Sequence, residues 1–254
     1  MLLPARRLND SMGEPSRRAG RRRDPFQEAA LELILASTSP YRRALLARLG
    51  LPFRSLEPRF EETAGRPGDD PARLVVQNAL GKALSVVAEC PGSLIISSDQ
   101  VAECEGEILT KPGAPQRAVE QLMRLAGREH RLFGGLAVVR APGTPAPPSI
   151  SNASPKDGGV DRSAMSNEDL STRTALVVTH LRIRPLARSE AEEYVRRESP
   201  LDCAGAYKSE GLGIALFDYL RGDDPTAVIG LPLIALTRLL RAFGCDPLGK
   251  APTP

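Results

Sequence analysis

The chain has 254 residues, 41% of them hydrophobic, enough for one or two domains with a full apolar core, which excludes a wholly disordered polypeptide. Its 22 glycines and 23 prolines fall short of a low-complexity composition. No run of about 18 apolar residues encodes a membrane-spanning helix, so no membrane partner is expected. The formal net charge of +3 resides in residues 1–31, where seven arginines face four acids. The remainder is neutral, which argues against a broad nucleic-acid surface and leaves room for a basic pocket that takes a small anion.

Residues 1–30 are rich in Arg, Pro, Gly and Ser without helical or strand period and read as a flexible extension. Order begins at Leu31–Ala36, a short apolar run that reads as a strand, followed by Ser37-Thr38-Ser39-Pro40 and a helix over Tyr41–Leu49 that stops at Gly50. A strand near Phe53–Leu56 completes a β-α-β unit. Helical spacing through Leu74, Val75, Ala79 and Leu84 predicts a helix over Pro71–Ala88. The buried strand Leu94–Ser98 is expected to stop at Asp99-Gln100, exposing polar side chains in a crevice at its C-terminal end. A hairpin around Glu105-Gly106, a helix over Pro115–Leu125 and a strand over Leu132–Val139 follow.

Residues 141–173 lose hydrophobic periodicity and read as an inserted flexible loop. A strand is predicted over Thr174–Ile183, then a helix to about Arg197 with Ser189 and Glu192 as capping box. Cys203–Gly211 is a tight loop, Ile214–Phe217 is strand-like, and Leu231–Phe243 is a closing helix with Pro232 at its start. Alternating strands and helices give an α/β class, with one domain over residues 31–250.

The four cysteines, Cys90, Cys104, Cys203 and Cys245, form no C-x-x-C pair, and no secretory leader is recognisable, so reduced thiols and a cytoplasmic setting are expected. With His130 and His180 as the sole histidines, any metal should be hard and oxygen-bound.

Ser37 to Arg43 sits at a strand-to-helix junction, where free backbone N–H groups and the helix dipole favour an anion and Ser37, Ser39, Arg42 and Arg43 add donors that match phosphate. The same residues also read as a Ser cap with a solvated Arg face. Asp99 can take a proton from water or hold Mg²⁺, or serve as an ordinary turn acid. Glu61-Glu62 can supply further oxygen ligands or stay solvated. Lys82 and Lys111 can neutralise phosphate or merely carry surface charge. The Cys203–Gly211 loop, with Tyr207, Lys208 and Glu210, can wall a pocket because its glycines permit close backbone approach.

Taken together these segments resemble the Maf-like nucleotide pyrophosphatases. The likeness runs from Leu33 to about Leu248, omitting 141–173, and rests on Leu33–Leu46 (LILASTSPYRRALL), Ser98-Asp99-Gln100-Val101, Gly106–Pro112 (GEILTKP), Cys203–Phe217 and Val228–Leu233 (VIGLPL). The resemblance implies a mixed β-sheet flanked by helices, similar to inosine triphosphate pyrophosphatases, in two lobes with a nucleotide cleft, often as a homodimer. It implies hydrolysis of a nucleoside triphosphate with a divalent cation, Mg²⁺ or Mn²⁺. Asp99 is then the proton acceptor, Glu62 with Glu61 and Asp99 the metal ligands, and Ser37, Ser39, Arg42, Arg43, Lys82, Lys111 and Lys208 the triphosphate contacts.

Within the family this chain looks like the branch that acts on 7-methyl-GTP, removing modified nucleotides from the pool. Tyr41, Gln100 and Glu210 stand where the dTTP/UTP branch has Arg, Thr and Gln. A Tyr face attracts the positively charged 7-methylguanine, and Glu210 can accept from its ring N–H and amino group. Hydrolysis of dTTP or UTP is the alternative within the family, and a nucleotide-binding regulator of septum formation without turnover is the alternative outside catalysis. One departure stands out: Gly134-Gly135 occupy the place of the family's Thr-Gly, which removes a hydroxyl near the site.

Overall fold

The computed structural model describes residues 31–66, 68–143 and 171–249. The N-terminal extension, and residues 144–170 of the expected insertion, lie outside the described residues. Strands β1 (Leu33–Ala36), β2 (Phe53–Leu56), β3 (Leu94–Cys104), β4 (Glu107–Leu109), β5 (Glu129–Arg140), β6 (Ser171–Ile183) and β7 (Phe217–Arg221) form one mixed sheet in the order β2-β1-β3-β5-β6-β7, with β4 paired to β3. The helices are α1 (Pro40–Ala47), α2 (Pro71–Leu84), α3 (Pro115–Leu125), α4 (Arg188–Glu198) and α5 (Leu233–Ala242). None is long and apolar enough to cross a membrane.

All four β1 residues are buried, as a strand flanked on both edges and covered on both faces requires. It runs parallel to β2 and to the start of β3, while β3–β5, β5–β6 and β6–β7 are antiparallel. Glu105 and Gly106 both take positive φ, 53° and 85°, which is the backbone a two-residue β3–β4 hairpin needs and which glycine adopts without strain.

Several boundaries differ from expectation for physical reasons. β6 begins at Ser171, because antiparallel pairing with β5 extends to Ser171 opposite Arg140 and so draws the last residues of the expected insertion into the sheet. α2 ends at Leu84, and its buried stripe passes through Asn78, Lys82 and Ala83 while Leu84 is exposed. Glu190, not Glu192, closes the start of α4 by accepting from the Ala187 N–H at 2.8 Å. The strand-like Ile214–Phe217 is mostly a 3-10 turn, and β7 follows it.

Two large apolar clusters are strung along one face of the sheet. One joins α1 and α5 to Leu94, Ile96, Leu136 and Val138; the other joins α3 and α4 to Ala102, Leu132, Leu181 and Tyr207. β3, β5 and β6 contribute to both clusters. α2 covers the opposite face, packing on Ile95, Val101, Phe133 and Val139 through two smaller clusters.

Candidate active site

The expectation that β3 ends at Asp99 is corrected: β3 runs on to Cys104, because β5 pairs with it from Leu94–Arg140 to Glu103–Arg131. The crevice arises from the neighbour instead. On the other edge of β3, β1 pairs with Leu94–Ile96 and β4 with Ala102–Cys104, and among the described strands none pairs with the stretch between them. Asp99 and Gln100 lie in this gap. Strand alternation sends their side chains to opposite faces, Asp99 towards α2 and Gln100 towards the 227–230 turn.

A cavity of about 250 Å³ opens over this gap. Ser37, Ser39, Tyr41, Arg42, Glu62, Lys82, Asp99, Gln100, Lys111 and Glu210 all line it, drawn from six separate stretches of chain. Its innermost feature is a charge cluster. Lys82 is almost fully buried, and its Nζ lies 2.7 Å from Asp99 Oδ1 and 2.6 Å from Glu62 Oε1, with Lys111 Nζ 3.9 Å from Glu62 Oε2. Burial alone would raise the Glu62 carboxyl; the Lys82 hydrogen bond and the charges of Lys82, Lys111 and Arg42 outweigh it and hold Glu62 below the ordinary carboxylate value.

At the mouth, α1 starts with Ser39 as N-cap and Pro40 in its first turn, and the Ser37 hydroxyl accepts from the Ser39 N–H at 3.1 Å. Arg42 Nε donates to the Gly230 carbonyl at 3.0 Å. Burial lowers the Arg42 pKa against the support of Asp99 and Glu62, and its guanidinium lines the cavity, where it can meet an anion. Gln100 Nε2 donates to the Ala227 carbonyl at 2.7 Å, so its amide fixes the cavity wall. Cys203 also faces the cavity, but burial, with Asp202 beside it, pushes its thiol up to about 12, so it is no thiolate nucleophile.

Three expected site residues stand apart from this cavity. Arg43 Nε points back to Ser55 Oγ on β2 at 3.3 Å. Glu61 is exposed and does not line the cavity, whereas its neighbour Glu62 does, paired with Lys82. Lys208 Nζ is held by the Glu198 carbonyl at 3.0 Å and reaches the site only through the Tyr41 ring, 5.6 Å from its centroid. Gly134 pairs with Gln100 and Gly135 with Asp99, so the missing hydroxyl belongs to the Gln100 face and not to that of the charge cluster.

Sequence reasoning missed Asn78, Asp202 and the wall carbonyls of Ala227 and Val228. Asn78 had a signal: it is a polar residue on the same helical stripe as Leu74, Val75 and Ala79.

The family described as Maf-like protein matches residues 32–243. A Bordetella pertussis protein named 7-methyl-GTP pyrophosphatase is 46% identical, covering 87% of this chain and 96% of its own. One of the same name from Xanthomonas axonopodis pv. citri is 42% identical, over 84% and 96%. The Staphylococcus aureus Ham1 protein, at 14% identity and a TM-score of 0.37, overlaps 60% of this chain and 71% of that one. With its motifs gathered in one cavity and the family matched over most of its length, the chain belongs to the Maf-like proteins.

Proposed function

We propose that the protein is a nucleoside triphosphate pyrophosphatase that converts 7-methyl-GTP and water to 7-methyl-GMP and diphosphate, withdrawing a modified nucleotide from the pool. The observation that carries the reading is the union, in one cavity, of a buried Asp99–Lys82–Glu62 cluster with the N-terminus of α1 and Arg42. The first provides a proton acceptor, the second a cradle for phosphate. The relatives' names and near full-length coverage support the same reaction.

Asp99 accepts a proton from water, whose oxygen attacks the α-phosphorus; the bond from that phosphorus to the bridging oxygen breaks, and diphosphate leaves with the electron pair. Lys82, Lys111 and Arg42 oppose the charge gathering on the phosphate oxygens, and the N–H groups of α1 and the hydroxyls of Ser37 and Ser39 orient the triphosphate.

Mg²⁺ or Mn²⁺ belongs to this reading. Among the described residues no cluster of three His, Cys, Asp or Glu could hold a metal ion, but Glu62 and Asp99 supply two carboxylates, and Mg²⁺ is commonly held by one or two carboxylates together with substrate phosphates. The donor set fits that shared arrangement. When bound, the cation adds positive charge against the triphosphate oxygens.

For the base, Tyr41 and Glu210 line the same cavity, and together they offer an aromatic face and a carboxylate to a ring that carries positive charge. A methylated guanine carrying positive charge is suited to it. Replacing Tyr41→Leu is expected to lower kcat/KM for 7-methyl-GTP relative to GTP by roughly 2- to 30-fold, the span of a cation–π contact. An unchanged ratio contradicts the base assignment.

A further inference from the structure

Asn78 and Lys82 are one turn apart on α2 and share its buried face. They grip the two oxygens of a single carboxylate: Lys82 Nζ at 2.7 Å from Asp99 Oδ1, Asn78 Nδ2 at 3.0 Å from Asp99 Oδ2. Each also reaches the loop that carries Glu62. Lys82 pairs with Glu62 itself, while the Asn78 amide brackets the next residue, accepting from the Thr63 N–H at 3.0 Å and donating to the Thr63 carbonyl at 3.1 Å. That two-point contact fixes which end of the Asn78 amide is oxygen and which is nitrogen, so the N–H aimed at Asp99 is determined by the backbone and not by choice of flip. Asn78 is 2% exposed.

The two donors are unequal in what substrate asks of them. Lys82 is a cation between two acids, and a triphosphate competes with those acids for it. Asn78 is neutral, has all its partners within the protein, and keeps its grip whatever Lys82 does. We infer that Asn78 is the positioning residue of the reaction: it holds the Asp99 carboxylate in its productive orientation and in register with Glu62 while Lys82 turns its charge to phosphate. The inference rests on Asp99 being the proton acceptor. Since Asn78 acts through Asp99, it affects the chemical step and leaves the phosphate contacts of Arg42 and Lys111 intact.

The test is steady-state kinetics of the full chain on 7-methyl-GTP with Asn78→Leu, Asn78→Ser and Asp99→Asn, each checked for folding by its melting transition. Both Asn78 variants are expected to lose about 10- to 100-fold in kcat with KM within about threefold, the pattern of a misplaced catalytic group and not of weakened binding. Ser provides a second chance to fold if Leu disturbs the buried polar cluster. Wild-type kcat in a folded Asn78 variant, or a loss confined to KM, overturns the inference while an inactive Asp99→Asn leaves the catalytic reading standing. Full turnover in Asp99→Asn overturns both.

Discussion

Lys82 and Asp99 are among the few charged side chains buried in this protein, and each is tolerated because the other is there. Removing the ammonium leaves Asp99 buried and Glu62 half-buried without their cation. Lys82→Met is therefore expected to destabilise the fold by about 3–5 kcal/mol as well as to lower activity, a cost read from urea denaturation. A loss under 1 kcal/mol would mean that water screens the cluster. Glu62 gives a pH signature of known sign. Its carboxyl titrates below the ordinary value in the folded state, so its stabilising effect is complete above the unfolded carboxylate pKa and is lost as pH falls through the depressed one. The difference in Tm between wild type and Glu62→Gln should stay level near neutrality and shrink in acid below the ordinary carboxylate range; a difference that grows there reverses the assignment.

At the scale of elements, the placing of Asn78 and Lys82 depends on how closely α2 approaches β5. A Cβ on Gly135 would lie 2.3 Å from the Val75 carbonyl oxygen of α2, while one on Gly134 meets nothing nearer than 3.6 Å. Gly135→Ala should push α2 off the sheet, costing about 1–3 kcal/mol and much of the activity, whereas Gly134→Ala should change stability by no more than about 1 kcal/mol. Equal melting temperatures for the two variants would contradict that contrast. β5 also carries His130, whose Nε2 meets the Tyr207 hydroxyl at 3.2 Å behind the cavity wall. Burial depresses His130 to about 4, so the unfolded chain binds a proton that the folded one refuses. Stability is expected to fall by up to about 3 kcal/mol between about pH 6.5 and pH 4 on this account, and His130→Phe should flatten that slope.

Over the whole molecule, the elements with strong local signals were legible from sequence: the apolar run of β1, the Ser-Pro start of α1, the apolar stripe of α3 and the Glu-Gly hairpin. What was not legible came from distant partners. β3 has no local reason to continue past Asp99; it does so because β5 lies beside it, and the site is a gap left by β1. Lys208 and Arg43 carry the charge that phosphate needs, but Glu198 and Ser55 hold them elsewhere. Asn78 was hidden because an amide on an apolar stripe announces a buried contact without naming it. The two apolar clusters share one sheet, so the cavity takes the α1 end from beside one cluster and the 202–210 loop from beside the other.

The most direct test of this account is diphosphate release by the purified full chain with Mg²⁺ or Mn²⁺ across 7-methyl-GTP, GTP, dTTP, UTP and CTP, with Asp99→Asn as control. Fastest release is expected from 7-methyl-GTP, with loss of that release in the variant. Preference for dTTP or UTP would contradict the role given to Tyr41 and Glu210, and no release from any nucleotide would contradict the catalytic reading itself.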